Sequence, residues 1–509
     1  MKTELRFPLI RLLYIRRMIK KNNETTKYLL IMAALALYLS LCINMANNTL
    51  YQSGYWGLIL VILLLCVAAR NYLTKNPVIW VMVTGGFLKV SYILYTAVWQ
   101  RQHDVIDFGA GEGHAAYIEY ILYNKSLPDF DPRSVWAFFQ PPLHHFISAV
   151  WMWAGIRVKI AERQLYENVQ VLPLCYMLIV TLIVYEISKE LNMTKKSQLI
   201  TMLITAFHPI YVLMSGSINN DALSVCLSAL SVYAALLWYK KPGILKSIFL
   251  GGCIGLAMMA KLSSALVAPG IGAMLLYRVI KDIRADKSCI KDYFLQLASF
   301  AVVVFPLGLW WPVRNVIKWN MPVNYIPEVG EQLEKCDMAS RLFDIRTFSV
   351  YPALKSNGAA YDEYNVILAM FKTAFFGESD FSLLSKHITP FADLVFVFGI
   401  ITAVIGIYAA IKVCTDRQSG PDAGLKIMFS GVLLGLLGGY FMFALSYSNF
   451  SAQDFRYSAL AVSIMGIFTG LYCDRRLLKK KSVIVIYVSC IIFAAASFIT
   501  YMLVGAYKG

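Results

Sequence analysis

The chain has 509 residues, of which 58% are hydrophobic and 15% are charged, and its mean hydropathy is +0.59. In soluble domains about a quarter of the residues are charged. The composition of this chain therefore excludes an ordinary soluble protein and predicts a polytopic membrane protein. The net charge of +17 falls in short basic runs between apolar stretches, which excludes a nucleic-acid-binding domain with one basic surface. The ten cysteines include no CxxC pair and predict neither a disulfide framework nor a zinc site.

A basic segment opens the chain. Residues 1–27 contain eight Lys or Arg but no apolar core and no small-residue cleavage site. They are therefore predicted to be a retained cytoplasmic head rather than a signal peptide. The run RFPLIRLLYIRRMIKK within this head suits an amphipathic helix on the inner leaflet, and equally a simple positive-inside anchor.

Apolar stretches long enough to cross a bilayer follow the head, since a transmembrane helix needs about 20 such residues. Between residues 245 and 277 the apolar region is interrupted by Lys261 and Pro269, which predicts a hairpin of two short helices. The whole set predicts an all-α fold of about 13 transmembrane helices. The other predicted spans lie near residues 28–46, 55–70, 77–99, 168–188, 197–215, 221–239, 293–313, 391–412, 425–447, 457–473 and 482–504.

The alternation of basic and acidic loops predicts the orientation, because Lys and Arg concentrate in cytoplasmic loops. Every second loop is basic and falls on the side of the N-terminal head. The complementary loops are acidic, aromatic and longer, and are therefore placed outside. The predicted parts are a cytoplasmic head of residues 1–27, a transmembrane module of 28–313 that includes the first outer loop 100–167, a second outer loop of 314–390, and C-terminal transmembrane helices of 391–509.

Residues 141–156, PPLHHFISAVWMWAGI, decide this orientation, because counting them as a span would invert every later loop. They are predicted to form an amphipathic helix in the outer interface, with Trp151 and Trp153 at headgroup depth. The protein is then an integral plasma-membrane protein with a cytoplasmic N-terminus. Its two large extracytoplasmic loops bear interfacial helices.

The first outer loop contains the candidate catalytic acids. Asp104, Asp107 and Glu112 follow the predicted span 77–99. A transferase that acts on a hydroxyl or an amine needs a carboxylate to accept or orient the proton of the nucleophile. Asp104 and Asp107, held near the end of a transmembrane helix, are therefore the candidate bases. Ordinary solvated loop acids are the alternative interpretation.

Histidines in the same loop suggest a metal site as an alternative. His103, His114, His144 and His145, together with nearby acids, suit a divalent cation. His144 and His145 are adjacent, however, and adjacent residues on a helix do not face the same way. A metal site is therefore not favoured, and no metal ligand is assigned.

Four charged residues lie at predicted membrane boundaries or inside the hairpin. Asp221, in HPIYVLMSGSINND, needs either a polar cavity or a helix N-cap to accommodate it. Arg314, in WWPVRN, and Arg456, in AQDFRY, are predicted to face outward and suit a bidentate grip on a phosphate. Snorkelling to the interface is the alternative for each arginine. A charged Lys261 side chain in the membrane interior would be energetically unfavourable.

The order of these motifs resembles that of the GT-C superfamily of integral-membrane glycosyltransferases, in particular the protein O-mannosyltransferase and aminoarabinose-transferase branch. An acid-bearing first outer loop precedes QPPLHHF, which is similar to the HPPLAK element of that branch. The runs HPIYVLMSGSINND, GLAMMAKLSSALVAP and WWPVRN resemble its Pro-to-Asp stretch, its GLA…TK hairpin and the start of its second outer loop.

The resemblance implies inverting transfer of a sugar from a polyprenyl-phosphate donor, with a first-loop Asp as base and usually no bound metal. Three positions depart from the branch: the adjacent Asp-Glu pair is absent, the lysine of HPPLAK corresponds to His145, and an arginine near the next span corresponds to Gln170. The contacts to the donor phosphate are therefore expected to differ. The predicted substrate- or phosphate-binding residues are Arg314, Arg456, His144, His145, His114, Glu112, Asp221 and Lys261.

The predicted function is transfer of a sugar from a polyprenyl-phosphate carrier to an envelope glycan, lipid or protein at the outer face of the membrane. The expected partners are the lipid bilayer, the donor and the acceptor, with no nucleic acid. One alternative is a transporter or flippase of lipid-linked sugars, which requires polar residues along a transmembrane pathway. A non-catalytic partner of an envelope polysaccharide assembly system is the other.

Overall fold

The computed structural model describes most of the chain from residue 76 onward. Every regular element among the described residues is an α-helix or a 3₁₀ turn. The described residues are 76–102, 104–327, 337–345, 347–352, 365–416, 420–447, 450–474 and 480–507. Their α-helices are α1 (Pro77–Tyr95), α2 (Gly113–Asn124), α3 (Leu143–Arg157), α4 (Glu162–Asn168), α5 (Val171–Glu190), α6 (Lys195–Phe207), α7 (Pro209–Met214), α8 (Asp221–Lys240), α9 (Ile244–Ala260), α10 (Ala268–Ala285), α11 (Ile290–Trp319), α12 (Met338–Phe343), α13 (Val366–Phe376), α14 (Thr389–Thr415), α15 (Ala423–Ser446), α16 (Leu460–Asp474) and α17 (Lys480–Tyr507).

The helices confirm the prediction of an all-α polytopic membrane protein. In the described part of the chain, 8 helical segments are long and apolar enough to cross a membrane, and α9, α13 and α16 are shorter apolar helices. Each span predicted from residue 77 onward coincides with one or more of these helices. The head 1–27 and the predicted spans 28–46 and 55–70 lie outside the described residues. The total of about 13 spans therefore stays a prediction.

The span predicted at residues 197–215 is divided into α6 and α7 at Pro209. Proline lacks an N–H and disfavours helical backbone in the residue before it, which here has an extended ψ of 127°. Lys89 Nζ donates a hydrogen bond of 2.6 Å to the carbonyl of Ala206, at the end of α6. A side chain from α1 thus satisfies one of the carbonyls that the broken helix leaves open.

The hairpin predicted between residues 245 and 277 is present as α9, a 3₁₀ turn and α10. Lys261 follows α9 in extended backbone, and the 3₁₀ turn Leu262–Val267 comes next. α10 then packs against α15 so closely that a Cβ on Gly431 would lie 2.6 Å from Gly270 Cα. Glycines allow two helix backbones to approach this closely inside a membrane. The turn leaves Lys261 at one end of the bundle.

The loops gather at two ends of the bundle in the grouping that the charge pattern predicts. At one end, Lys240 pairs with Glu190 at 2.6 Å and Lys281 pairs with Asp422 at 3.0 Å. These ion pairs join the loops that are predicted to be basic and cytoplasmic. The complementary loops meet at the other end, where the candidate site lies. Which end faces the cytoplasm stays the prediction of the charge pattern.

The helix predicted at residues 141–156 is present as α3. Its 15 residues are about 22 Å long, less than the roughly 30 Å of a bilayer core. The side chains of Phe146, Val150 and Trp153 are about half exposed on one face, while another face packs against α2. An exposed apolar face on a helix too short to span agrees with the predicted interfacial position.

Candidate active site

A buried arginine forms the centre of a polar cluster at the end of the bundle opposite the basic loops. Arg456 is 4% exposed, and three carboxylates surround its guanidinium. Nη2 is 2.8 Å from Asp104 Oδ2, Nε is 3.2 Å from Asp221 Oδ2, and Nη1 is 3.6 Å from Asp454 Oδ2. Burial opposes the charge, but Tyr457 and the carboxylates raise the pKa of Arg456 well above its ordinary value. The arginine is therefore a fixed positive charge.

A second cation joins the cluster from the hairpin turn. Lys261 Nζ pairs with Asp221 Oδ1, so the two oxygens of that carboxylate face two different cations. The ring of Tyr457 also faces both charges, with its centroid 4.3 Å from Lys261 Nζ and 4.9 Å from Arg456 Cζ. The Tyr457 hydroxyl accepts a hydrogen bond of 2.9 Å from Arg456 Nη2. One carboxylate and one aromatic ring thus hold two cations together.

The structure favours a polar cluster over a helix cap as the environment of Asp221. Asp221 is the first residue of α8 and is 3% exposed. The N-cap position belongs to Asn220, whose side chain donates to the carbonyl of Ala260 at 2.9 Å instead of capping the helix. A carboxylate in the first helical turn is also stabilised by the helix dipole. Its burial is accommodated because both of its oxygens face cations.

A short turn between α15 and α16 positions Arg456. Asp454 accepts a hydrogen bond of 2.8 Å from the backbone N–H of Arg456 and so caps the 3₁₀ turn Phe455–Ser458. Asp454 and Tyr457 were not among the residues predicted from the sequence. An Asp two residues before Arg456 in a loop is a recognisable turn signal for Asp454. Tyr457 has no comparable signal beyond its position next to the arginine.

A tight turn after α1 brings Asp104 to the cluster. Asp104 and Ile106 have φ values of 57° and 56°, in the left-handed region that residues other than Gly, Asn and Asp seldom adopt. The backbone N–H of His114, in the first turn of α2, donates to the carbonyl of Asp104 at 3.1 Å. The start of α2 therefore anchors the turn that presents the Asp104 carboxylate to the arginine.

Gly113 is expected to be intolerant of a side chain, because it supports this turn. Its φ is +84°, and a Cβ there would lie 2.3 Å from the carbonyl oxygen of Val105. Gly113→Ala should destabilise the protein by about 1–3 kcal/mol, which would lower its melting temperature in detergent. Gly111→Ala is the matched control, since Gly111 has a φ of +85° but nothing within 4 Å of the added Cβ. Equal melting temperatures for the two variants would contradict this explanation.

Three of the predicted histidines lie together beside the cluster. His114 Nδ1 and His145 Nε2 share a hydrogen bond of 2.8 Å, and the two rings stack with centroids 5.1 Å apart. His144 Nε2 is 2.6 Å from the carbonyl oxygen of Ile218, in the segment that leads into α8. Among the described residues, no group of three His, Cys, Asp or Glu side chains is arranged to hold a metal ion. His103 lies outside these residues.

The three histidines are neutral in the folded protein because they are buried. Burial lowers the pKa of His114 to about 3, that of His144 to about 4, and that of His145 well below 6.5. In the unfolded chain each ring takes up a proton as the pH falls through 6.5. The stability that these rings provide is therefore complete above about pH 6.5 and decreases as the pH falls towards about 4.

This difference in proton binding predicts a pH-dependent melting temperature. The melting temperature should fall between about pH 7 and pH 5, because the unfolded state takes up protons that the folded state excludes. His114→Gln should make that fall smaller, since one of the three groups is then absent. Thermal unfolding of both proteins in detergent measures the effect. An identical pH dependence in the two proteins would mean that His114 titrates normally.

Three other predicted residues lie apart from the cluster. Asp107 and Glu112 are exposed on the loop that leads into α2. Arg314, on α11, donates a hydrogen bond to the carbonyl of Pro128 and lies 3.5 Å from Asp129. These contacts tie α11 to the first outer loop. The structure therefore brings Arg456, and not Arg314, into contact with the acids of the cluster.

Part of the chain matches a known family. Residues 142–311 match a family model described as dolichyl-phosphate-mannose-protein mannosyltransferase. The match runs from the start of α3 into α11 and includes Asp221 and Lys261, while Asp104 and Arg456 lie outside it. No curated protein matches the chain.

Solved structures with a similar arrangement include two forms of ArnT from Cupriavidus metallidurans. The form bound to undecaprenyl phosphate is 13% identical, with a TM-score of 0.48 over 84% of this chain and 77% of that chain. The apo form is 12% identical, with a TM-score of 0.49 over 87% and 78%. The apo oligosaccharyltransferase of Archaeoglobus fulgidus is 14% identical, with a TM-score of 0.49 over 86% of this chain and 56% of that chain. This chain thus spans little more than half of the oligosaccharyltransferase.

The family match includes two of the four motifs that suggest the resemblance and overlaps the other two at its edges. QPPLHHF crosses its N-terminal edge and WWPVRN its C-terminal edge, while the stretch that ends in Asp221 and the hairpin with Lys261 lie inside it. Asp221 and Lys261, from the two motifs inside the match, pair with each other in the ion-pair cluster. Residues 142–311 therefore match the dolichyl-phosphate-mannose-protein mannosyltransferase family, in the same part of the chain as the motifs that resemble it.

Proposed function

We propose that this protein transfers a sugar from a polyprenyl-phosphate carrier to an envelope glycan, lipid or protein at the outer face of the plasma membrane, with inversion at the anomeric carbon. The observation that carries the proposal is the ion-pair cluster of Asp104, Asp221, Lys261 and Arg456. The cluster lies at one end of a helical bundle, in a chain with a domain of a family named for a lipid-phosphate sugar. Such a donor places its phosphate at the membrane boundary, where a cationic site can reach it.

The two cations of the cluster suit the phosphate of the donor. Arg456 offers N–H donors in a planar fork that matches phosphate oxygens, and Lys261 adds a compact charge. Among the described residues, Arg456 Nε and Nη1 make no hydrogen bond, although both atoms are buried. Each of these atoms faces a buried carboxylate, with Nε 3.2 Å from Asp221 and Nη1 3.6 Å from Asp454, so a phosphate would approach the guanidinium at Nη2, beside Asp104. The proposal assigns no metal cofactor, because the two cations would stabilise the charge that develops on the leaving phosphate.

Asp104 is the carboxylate best placed to act as the base. Its side chain is 36% exposed, whereas the side chains of Asp221 and Asp454 are 4% and 1% exposed. An acceptor hydroxyl or amine that arrives from solvent therefore meets Asp104 first. A positioned base supplies about 10²–10⁴-fold in rate. Asp221 would act as a positioning residue that holds the two cations.

The test of this function is a transfer assay with the purified full-length chain. The protein is incubated in detergent with polyprenyl-phosphate sugars, and mass spectrometry measures the release of free polyprenyl phosphate and the gain of sugar by an envelope extract. A deletion strain should accumulate one polyprenyl-phosphate sugar and lose one envelope modification. A deletion strain with unchanged donor pools and unchanged envelope glycans would contradict the proposal.

Transport of lipid-linked sugars is the main alternative. A transporter needs polar groups along a path through the bundle. The cluster around Arg456 lies instead at one end of the bundle, between loops and helix ends. Proteoliposomes in which the carrier changes leaflet without any transfer of sugar would favour transport. If the carrier does not change leaflet and no sugar is transferred, the result would favour a non-catalytic partner of an envelope polysaccharide assembly system.

A further inference from the structure

The ion pair between Asp104 and Arg456 places a carboxylate where the donor phosphate would bind. Arg456 Nη2 donates to Asp104 Oδ2 at 2.8 Å, and Arg456 is otherwise enclosed, with 4% of its surface exposed. Asp104 is the most exposed of its carboxylate partners, so the guanidinium is most accessible to an incoming phosphate at this position. A phosphate and a carboxylate cannot both occupy it, because two anions about 3 Å apart repel each other strongly.

Asp104 is also the partner of Arg456 that can leave most easily. Asp221 is held by both cations in the first turn of α8, and Asp454 is bonded to the backbone of the same turn as the arginine. Asp104 lies on a loop, in left-handed backbone, with a side chain that is 36% exposed. Rotation of this side chain into solvent would leave both of the buried carboxylates in place.

We infer that the donor phosphate displaces Asp104 from Arg456 and thereby frees Asp104 to act as the base, so that the donor binds before the acceptor. This inference rests on the proposed function and concerns the regulation of the same site. Without donor, the carboxylate is engaged by the guanidinium, and an acceptor finds no free base. With donor bound, the phosphate takes the place of the carboxylate on the guanidinium.

The chemical step then proceeds from the displaced state. The acceptor O–H or N–H gives its proton to the Asp104 carboxylate, and the acceptor atom forms a bond to the anomeric carbon. The bond between that carbon and the phosphate oxygen breaks, and its electron pair leaves on the polyprenyl phosphate, held by Arg456 and Lys261. Once Asp104 has released its proton to solvent, its return to Arg456 helps to expel the carrier phosphate.

The test is a binding measurement that does not depend on transfer. Undecaprenyl phosphate, without a sugar, is titrated into the detergent-purified full chain. Asp104→Asn is expected to bind this lipid at least about tenfold more tightly than the wild type, the order expected when one charge-assisted hydrogen bond no longer competes. Asp104→Gly should also bind more tightly, and glycine accommodates the φ of 57°. Asp107→Asn is the matched control and should bind as the wild type does.

The outcomes separate this inference from the proposed function. If the wild type binds undecaprenyl phosphate and neither Asp104 variant binds it more tightly, the competition does not exist, while the proposed function stands. If the wild type does not bind the lipid, both are wrong. If Asp104→Asn binds more tightly but the wild type transfers no sugar from any donor, the competition stands and the proposed function is wrong.

Hydrogen exchange of the wild type gives an independent measurement that needs no variant. Addition of undecaprenyl phosphate should increase amide exchange in residues 104–108, because the turn loses its ion pair to Arg456. The same addition should decrease exchange in residues 454–458, where the phosphate is held. Slower exchange in both segments would show that the carboxylate and the phosphate bind together, and would overturn the inference.

Discussion

Replacing Asp104 with Asn is expected to lower kcat for sugar transfer by about 10³-fold, within the range for loss of a general base. Asn has nearly the shape of Asp and tolerates the left-handed backbone at this position, where φ is 57°. The variant should therefore fold normally and lack only the proton acceptor. The measurement uses saturating donor, because the affinity for the carrier is expected to rise in the same variant. An unchanged melting temperature would confirm that the fold is retained.

Asp107→Asn distinguishes the two acids that the sequence left open. Asp107 is exposed, whereas Asp104 is paired with Arg456. We therefore expect Asp107→Asn to transfer sugar at close to the wild-type rate. The opposite result, a large loss for Asp107→Asn alone, would make Asp107 the base. Full activity in a variant with both substitutions would exclude either acid as the base.

Replacing Arg456 with Gln is expected to abolish binding of undecaprenyl phosphate and to lower transfer by at least about 10³-fold. The substitution removes the fork that would hold the phosphate and also the charge that compensates Asp104, Asp221 and Asp454. Breaking a buried ion pair in this way costs about 3–5 kcal/mol of stability. Carrier binding and thermal unfolding must therefore be measured on the same preparation.

Arg456→Lys separates the loss of binding from the loss of stability. Lysine keeps the positive charge but cannot bind a phosphate in a bidentate fork. This variant should melt closer to the wild type while binding the carrier weakly. Arg314→Gln is the control, since Arg314 is the other arginine predicted from the sequence and bonds to Pro128 outside the cluster. Loss of carrier binding in Arg314→Gln with full binding in Arg456→Gln would reverse the assignment.

The helices could be predicted from the sequence because each helix depends on the amino-acid composition of one short segment. The span at residues 221–239 appears close to its predicted bounds, and the hairpin interrupted at Lys261 is present although its second helix continues to Ala285, beyond the predicted end at residue 277. The division of the span at residues 197–215 was not predicted, although Pro209 is visible in the sequence. Proline inside a membrane helix is tolerated or breaks the helix according to which neighbours satisfy the freed carbonyls. Here one of those neighbours is Lys89, from α1.

By itself, the sequence determined that this protein is a helical membrane bundle with polar loops, and its motifs resemble those of the GT-C superfamily. Hydrophobic length and charge alternation determine these features, and both are properties of local segments. Only the tertiary structure decided which polar residues meet. Asp104 contacts Arg456 from 352 positions away, while Arg314 bonds elsewhere and Asp107 stays exposed. Such contacts depend on how helices pack against one another, and no pattern within a single segment determines that packing.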